Sequence, residues 1–548
     1  MNKVIPGKPL LFAIAFLMVA SGCHHDPKPT VEPPVVIPAA DIWWNDQVFY
    51  EVFVRSFYDS DGNGIGDFQG IIQKLDYLND GNPATDTDLG VTALWLMPVF
   101  PSPSYHGYDV TDYRTVNAQY GSMDDFKLLV SEAHKRGIKI VLDFVINHTS
   151  ELHPWFLNSA SSPSAEKRNW YVWSDSNPGY LGPWGQTVWY NKNGAFYYAV
   201  FWSGMPDLNY NNTHVTDEIE DITKFWHDIH VDGFRIDAAK HLIEQGQNQE
   251  NTSATLGWWR KFYAFQKTLD PAFMTVGEVW TSTPNVAPYA DQRLDYCFEF
   301  DLASAIVDAA KNGNVNGLKG KMQEVVSSYP ALQYGTFLTN HDQNRVMEEF
   351  SLNVEKAKAA AGILLTLPGV PYLYYGEEVG MMGQKPDEDI RRPMQWTNGL
   401  NAGFSTVSPW RSINSNYNLF NVQTLKNDPT SLWNHYRKLI HARTDSNPLR
   451  HGGYESVNAS NNAVFSFLRA KDGEGVIAVH YPTTGTIQNV QFSMATSSLP
   501  QGTYAVTELL SGATLGTLTI ASNGGFSNFT PIGSIGAYAT FLLKLKKQ

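Results

Sequence analysis

The chain has 548 residues, 43% of them hydrophobic and 17% charged, which excludes a disordered protein and predicts two or three domains with large buried cores. A formal net charge of −14 opposes binding to nucleic acid and suits neutral ligands or bound cations. Only two cysteines occur, so no disulfide framework supports the fold. Aromatic residues make up 13% of the chain, which suits surfaces that stack on flat apolar ligands such as sugar rings.

The first 40 residues predict export and a lipid anchor. Residues 1–22 carry an early lysine, an apolar run over 9–20 and small residues just before Cys23. This pattern is typical of a bacterial lipoprotein signal, so we expect cleavage before Cys23 and lipidation of that residue; an ordinary signal peptide is the alternative. Residues 23–40 are rich in proline and predict an extended tether. We therefore expect a secreted protein, periplasmic or at the cell surface, that contacts the membrane through its lipid only.

From residue 41 onward, short β-branched or aromatic runs alternate with helical patterns, as in repeated βα units around a parallel sheet. A helix is predicted over 124–136, for example, because apolar residues recur there at helical spacing. The interval between the third and fourth strands is too long for one crossover and predicts an inserted subdomain. The eight predicted strands are 48–57, 91–99, 138–145, 231–237, 273–279, 294–300, 335–340 and 370–375.

After residue 446 the pattern changes to short alternating runs separated by turns, including 463–468, 475–480 and 538–545. The sequence therefore predicts an α/β fold, in which a (β/α)8 TIM barrel is followed by a C-terminal antiparallel β-sandwich domain. The predicted bounds are 41–148 and 214–445 for the barrel, 149–213 for the subdomain inserted after strand 3, and 446–548 for the C-terminal domain.

In such barrels the carboxyl ends of the strands form the working face, so polar residues there are candidates for chemistry. Asp237, Glu278 and Asp342 lie at or just beyond three of these ends. Two neighbouring carboxylates suit retaining glycoside hydrolysis, in which one attacks the sugar and the other acts as acid and then base. Arg235, on the same strand face as Asp237, is expected to keep that carboxylate ionised, whereas burial near Trp280 is expected to raise the pKa of Glu278.

Four segments resemble the motif regions of the α-amylase superfamily, glycoside hydrolase family 13, in order and spacing: 143–148 (DFVINH), 233–241 (GFRIDAAKH), 277–280 (GEVW) and 339–342 (TNHD). Residues 205–209 (MPDLN) resemble a further motif of this family. The resemblance implies Asp237 as nucleophile, Glu278 as general acid/base and Asp342 as the third carboxylate, which grips sugar hydroxyls. The substrate-binding residues that it implies are Tyr108, Asp109, His148, Arg235, Lys240, His241, His341 and Arg345.

Residues 59–67 (DSDGNGIGD) have the spacing of a calcium-binding loop. Asp59, Asp61, Asn63 and Asp67 offer side-chain oxygens and Ile65 a carbonyl, but the loop lacks the final glutamate of an EF-hand. A turn rich in Asp and Gly is the alternative.

The family resemblance alone implies a second calcium site, built from Asn147, Asp207 and the main-chain carbonyl of His241. Its remaining ligand cannot be placed from the sequence. Both ions are expected to be structural, because the chemistry requires no Lewis acid.

We expect a monomeric α-amylase that hydrolyses α-1,4 bonds of starch, maltodextrin or related oligosaccharides. Lys240, His241 and Trp280 favour internal scission, whereas residues 391–396 (RRPMQW) resemble a segment of oligo-1,6-glucosidases and trehalose synthases. An arginine of that segment paired with Asp109 would close the site and make cleavage exo. The alternatives are an oligosaccharide-trimming α-glucosidase, a neopullulanase-like enzyme with α-1,6 activity and, in a different class, a non-catalytic surface glycan-binding lipoprotein.

Overall fold

A computed structural model describes residues 42–548 and contains a closed barrel of eight parallel strands. Each strand pairs with its predecessor in the chain, and the eighth pairs with the first. The predicted TIM barrel is thus confirmed. The barrel strands are Phe49–Val52, Ala93–Leu96, Lys139–Phe144, Gly233–Ile236, Met274–Gly277, Tyr296–Phe298, Tyr334–Thr336 and Val370–Tyr374.

Helices cover the outside of the barrel because each has one apolar face. Met123–Lys135 buries Phe126, Leu129, Val130 and Ala133, and its first turn is closed by a capping box at Ser122. The longer helices of the barrel are Phe68–Leu78, Met123–Lys135, Thr213–Asp228, Ser253–Leu269, Phe300–Asn312, Val315–Ser328, Val354–Thr366 and Leu432–Thr444. Shorter helices are Val54–Phe57, Thr283–Val286, Val346–Glu349, Asp387–Ile390, Val422–Lys426 and Asn447–His451.

Most barrel strands are shorter than the sequence predicts. The run 48–57 was expected to be one strand, but the strand ends at Val52 and Val54–Phe57 form a helical turn. Likewise Phe300, the last residue of a predicted strand, begins the helix Phe300–Asn312. β-Branched and aromatic residues are favoured in strands, but here tertiary packing at the barrel rim outweighs that preference.

The insertion after the third strand contains the helix Pro154–Ser161 and a three-stranded antiparallel sheet of Trp173–Ser174, Trp189–Lys192 and Ala195–Tyr198. It is joined to the barrel by a β-bridge between His148 and Asp207. The main chain then enters the helix Thr213–Asp228. This arrangement brings residues 200–209 to the carboxyl ends of the barrel strands.

The C-terminal domain is antiparallel, as predicted. Its main sheet has six strands: Glu455–Ser456, Phe465–Lys471, Glu474–Tyr481, Ala539–Lys547, Gly502–Glu508 and Thr514–Ile520. Smaller sheets are formed by Asn458–Ala459, Phe492–Met494 and Phe526–Phe529, and by Ile487–Gln488 and Ser534–Ile535. The six-stranded sheet and the smaller sheets enclose one apolar core.

The other face of the six-stranded sheet packs on the barrel. Phe465, Phe467 and Leu542 belong to the same apolar cluster as the barrel helices. Arg469 Nη1 donates to the Thr366 carbonyl at 2.7 Å, at the end of the helix Val354–Thr366. The barrel and the C-terminal domain are therefore joined through a continuous core.

Candidate active site

Three carboxylates follow the carboxyl ends of neighbouring strands. Asp237 lies one residue beyond the fourth strand, and Glu278 one residue beyond the fifth. These strands pair with Ile236 opposite Gly277, so the two acids that follow are adjacent. Asp342 lies in the loop after the seventh strand and faces the same cavity as Asp237 and Glu278.

Arg235 holds the first two acids together. Its guanidinium is fully buried, with Nη1 2.9 Å from Asp237 Oδ1 and 2.8 Å from Asp143 Oδ1, while Nη2 lies 2.9 Å from Glu278 Oε2. A planar guanidinium offers five donors in a fixed fork and so suits several acceptors at once. Asp237 and Glu278 are thus held side by side on one cation, as a retaining double displacement requires.

Burial raises the pKa values of both reacting acids. It raises the pKa of Asp237 to about 6 against the opposing charge of Arg235, and Asp143 and Asp342 add to the increase. The pKa of Glu278 is also raised by burial, again against Arg235. Arg235 opposes this increase without cancelling it, because three carboxylates share its single charge. A pKa near 6 still leaves Asp237 ionised at neutral pH.

Asp342 has a different electrostatic environment. Its Oδ2 lies 3.2 Å from His341 Nε2, and its Oδ1 accepts a 2.8 Å hydrogen bond from Arg391. Burial opposes ionisation, but these two cations outweigh it and hold the pKa of Asp342 well below its usual range. Burial alone would lower the pKa of His341, but the charges of Asp342 and Glu51 outweigh it and raise that pKa to about 10. Glu51 Oε1 lies 2.5 Å from His341 Nδ1. Asp342 is consequently a fixed anion suited to binding sugar hydroxyls.

The three acids face a cavity of about 830 Å³ whose walls combine charged and aromatic side chains. Trp280 stacks on Phe300 with ring centroids 4.6 Å apart and is 44% exposed. Trp184 and Trp202 of the inserted segment are 57% and 49% exposed. These exposed rings in the cavity wall offer flat apolar faces on which sugar rings stack. The other lining residues include Phe201, Met205, Lys385 and Asp387.

Four of the predicted substrate-binding residues, Tyr108, His148, Lys240 and His241, line this cavity. The Tyr108 hydroxyl donates to Asp143 Oδ2 at 3.0 Å and lies 2.6 Å from His341 Nε2. Burial lowers the pKa of His148 to about 3, so its imidazole is neutral. Arg235 and His341, also predicted, lie behind the three acids and bind them directly.

Asp109 and Arg345, which were also predicted, are not among the side chains that line the cavity. Asp109 is buried and accepts hydrogen bonds from the hydroxyls of Ser102 and Ser104. Arg345 is 2% exposed and donates to the carbonyls of Tyr375 and Ile390 at 2.7 and 2.8 Å. Nε and Nη1 of Arg345 thus bind the main chain, whereas its Nη2 is buried without a hydrogen-bond partner among residues 42–548, and substrate binding by Arg345 stays a prediction.

The sequence did not identify several residues that the structure brings into the site. Glu51 precedes His341 by 290 positions, so this pair is not visible in a local motif. The segment 391–396 was singled out for a pairing with Asp109, but the contact of Arg391 with Asp342 was not predicted. Asp143 stood at a strand end and could have been proposed from that position alone. Trp184 and Trp202 lie in the aromatic-rich insertion, where composition was the only signal.

The predicted calcium loop brings its acids together. Asp59, Asp61 and Asp67 each place an oxygen within 4.8 Å of the others. Asp59 accepts from the main-chain N–H groups of Gly62 and Gly64, and Asp67 also caps the helix Phe68–Leu78. Three converging carboxylates form a possible metal site of the hard oxygen donors that calcium prefers. The residues present fit this ion.

The second predicted site contains a buried acid, Asp207, and a buried amide oxygen without a hydrogen-bond partner, that of Asn147. Asn147 Nδ2 donates to Asp207 Oδ2 at 3.1 Å, but Asn147 Oδ1 is buried without a partner. Burial raises the pKa of Asp207 well above its usual value, and the charge of Glu244 adds to the increase. His241, the third predicted contributor, is buried, with Nδ1 3.0 Å from the Gln249 carbonyl oxygen. An unpartnered oxygen beside a buried acid fits a cation, and Glu244 is a candidate for the ligand that the sequence could not place.

Comparison with known proteins identifies relatives over most of the chain. Residues 51–452 match the model of the α-amylase catalytic domain. The chain is 41% identical over 442 residues to alpha-amylase 3 of Dictyoglomus thermophilum, which covers 80% of this chain and 85% of that one. It is 32% identical over 521 residues to an oligo-1,6-glucosidase of Parageobacillus thermoglucosidasius, with 80% and 90% covered. The crystal structure of an α-amylase from H. orenii superposes with a TM-score of 0.79 at 41% identity and covers 91% of this chain and 99% of that one.

Proposed function

This chain belongs to the α-amylase family of glycoside hydrolases, and from that premise we propose that it cleaves internal α-1,4-glucosidic bonds of starch-like glucans and maltooligosaccharides. The observation that carries the proposal is the guanidinium of Arg235, which lies 2.9 Å from both Asp237 and Glu278. That geometry supports a nucleophile and an acid acting on the same glucosidic bond.

In the proposed reaction, Asp237 attacks the anomeric carbon while Glu278 donates its proton to the departing glucosidic oxygen. The bond to the leaving sugar breaks, and a covalent glucosyl–aspartate forms. Glu278, now ionised, removes a proton from water, whose oxygen attacks the same carbon and restores Asp237. Asp342 remains charged throughout and binds hydroxyls of the distorted sugar. Two displacements at one carbon retain its configuration.

Internal scission is supported by the ion pairs of Arg391 and by the exposed tryptophans that line the cleft. The Asp109–arginine pair expected of an exo-acting site is not formed: Arg391 binds Asp342 and Asp387 instead. Trp280 and the two exposed tryptophans of the inserted segment provide stacking surfaces beyond the three acids. A cleft with such surfaces suits a chain that continues past the cleaved bond.

A second candidate is the trimming of α-1,6-linked oligosaccharides by an α-glucosidase or neopullulanase-like enzyme. It is favoured by the similarity to an oligo-1,6-glucosidase and by the presence of Arg391, from the segment 391–396, in the cleft wall. Both activities would use the same three acids, so the substrate specificity must come from the surrounding walls.

Early digests of amylose, pullulan and isomaltose separate these candidates. We expect amylose to yield a mixture of maltooligosaccharides and isomaltose to remain intact, as measured by chromatography of products at low conversion. Release of glucose alone from amylose, or faster cleavage of isomaltose than of maltooligosaccharides, would favour the second candidate. Hydrolysis of none of these substrates would contradict both.

We further propose that calcium binds in the loop 59–67 and between barrel and insertion. Asp59, Asp61 and Asp67 would hold the first ion, together with Asn63 and the Ile65 carbonyl. Asn147, Asp207, the His241 carbonyl and Glu244 would hold the second. When bound, the ions supply structural crosslinks rather than chemistry.

The proposed location is outside the cytoplasmic membrane, with the protein anchored by lipid on Cys23. The signal peptide at 1–22, Cys23 and the tether over 23–40 lie outside the described residues, so this proposal depends on the sequence pattern. Among the helices of residues 42–548, none combines the length and apolarity that crossing a bilayer requires. The expectation of a monomer likewise remains a prediction.

A further inference from the structure

A second cavity of about 530 Å³ opens beside the catalytic cleft and shares Asp342 and Lys385 with it. One wall is the helix Phe300–Asn312 and the other is the loop after the seventh barrel strand. Its volume falls within the range of small-molecule sites. No catalytic role has been assigned to the remainder of its lining.

The chemistry of this cavity favours a neutral, hydroxyl-rich ligand. Most of its lining side chains are polar, and the ring stacking available in the catalytic cleft is replaced here by hydrogen-bonding groups: Ser304, Asp308, Asn312, Thr339, Gln343 and Asn344. Its two lysines are already neutralised, since Lys311 Nζ lies 2.8 Å from Glu349 Oε2 and Lys385 Nζ lies 2.7 Å from Asp387 Oδ1. Paired charges exert little attraction on ions, whereas they remain able to hydrogen-bond to hydroxyls.

One acceptor of this lining lacks a partner. Gln343 Oε1 is buried and forms no hydrogen bond within residues 42–548. A buried, unpaired acceptor is costly, and a ligand hydroxyl would remove that cost. Gln343 directly follows Asp342 in the chain, and both residues line this cavity.

We propose that this second cavity binds a side branch of a branched α-glucan while the main chain lies in the catalytic cleft. The two cavities share Asp342 in their linings, so a glucan that divides at the sugar bound there, or at its neighbour, would place one arm in each. The proposal rests on the proposed α-glucan hydrolase function and adds a substrate class to it, because it predicts that branch points are accepted near the cleaved bond.

Ser304→Trp tests this proposal because Ser304 is exposed on the helix that forms one wall, so an indole there can fill the cavity without disturbing the core. Two substrates are compared by kcat/KM: a linear maltooligosaccharide and one of equal main-chain length carrying a single α-1,6-linked maltosyl branch. We expect Ser304→Trp to lower the value for the branched substrate by about tenfold and to leave the value for the linear substrate within about twofold.

Two variants serve as controls. Ser304→Ala leaves the cavity open, and Ser327→Trp places the same indole on the exposed surface of the neighbouring helix Val315–Ser328. Both are expected to keep the wild-type ratio of the two kcat/KM values. Calorimetric titration of Glu278→Gln and of Glu278→Gln/Ser304→Trp with the branched substrate should show weaker binding in the double variant.

An unchanged ratio in Ser304→Trp, or an equal fall for both substrates, would overturn the branch site while leaving α-glucan hydrolysis intact. Equal affinity of the two Glu278→Gln proteins for the branched substrate would overturn it as well. If the wild-type enzyme hydrolyses neither substrate, the proposed function itself fails and the branch site fails with it.

Discussion

Arg235 carries one positive charge, and three carboxylates compete for it. Asp143, Asp237 and Glu278 all lie within 2.9 Å of its nitrogens, so no one of them receives its full stabilisation. Burial therefore raises the pKa of Asp237 to about 6, whereas Asp342, with His341 and Arg391 as cations of its own, stays ionised. The ionisation state of the nucleophile is consequently sensitive to pH near 6.

We expect the acid limb of kcat/KM to have its midpoint near pH 6, because the pKa of Asp237 is about 6 and only its ionised form attacks the sugar. Below that midpoint the rate should fall by about tenfold for each pH unit, as Asp237 becomes protonated. A profile on a linear maltooligosaccharide at constant ionic strength measures this limb.

Asp143→Asn provides the matched test, because the negative charge of Asp143 is one of the causes that raise the pKa of Asp237. Its removal should move the acid limb to lower pH, whatever the effect on the maximal rate. A limb that stays in place in this variant, or moves to higher pH, would show that another group controls it.

Among individual residues, local motifs predicted the three acids, but contacts between residues far apart in the sequence could not be predicted. Asp237, Glu278 and Asp342 were predicted because each follows a recognisable barrel strand. The contact of Glu51 with His341 joins the first strand to the loop after the seventh, and only closure of the barrel brings them together. Arg345 was named as a substrate-binding residue from the family resemblance, but it does not line the cavity, and two of its nitrogens donate to main-chain carbonyls.

Among the elements, the loop 59–67 concentrates three carboxylates ahead of the helix Phe68–Leu78. If calcium binds there, chelation should lower the melting temperature, because an ion that binds only the folded state stabilises it by about 2.7 kcal/mol at a hundred times its Kd. Calorimetric scans at one scan rate, with and without chelator, measure this difference.

Asp61→Asn is the variant to compare, since the Asp61 carboxylate bonds within the loop at Asn63, whereas Asp67 also caps a helix. The proposed second calcium site is unaltered in this variant. We therefore expect Asp61→Asn to reduce the fall in melting temperature that chelator causes. An equal fall in variant and wild type, or no fall in either, would count against an ion in this loop.

The order of strands and helices was predictable, but their ends were less so. All eight barrel strands lie within or next to runs rich in β-branched and aromatic residues, which is why alternation with helical patterns identified them. The run 48–57 continues such residues past the strand, yet Val54–Phe57 turns into a helix because the main chain must leave the barrel rim there. A pattern of residue types does not indicate at which residue a strand reaches the rim of the barrel and ends.

For the whole molecule, the lipid anchor is the part of the proposal that depends on sequence alone. Cys23→Ser should release the protein from membranes into the soluble fraction, because the thiol that accepts the lipid is lost. Fractionation of cells that express each form, followed by detergent phase partitioning, measures this release. Persistent detergent-phase partitioning of the variant would contradict lipidation at Cys23, and Ser21→Ala, which keeps a small residue before the cysteine, should behave as wild type.

The C-terminal sheet buries one face against the barrel, with Phe465, Phe467 and Leu542 in the common core. A module attached by a flexible linker would move independently of the catalytic domain and would hold a polymer at variable distances from the cleft. Here the sheet is part of the scaffold. Any glucan that adheres to its outer loops is therefore presented to Asp237 at a fixed angle and distance, and the last hundred residues act as a rigid extension of the catalytic body.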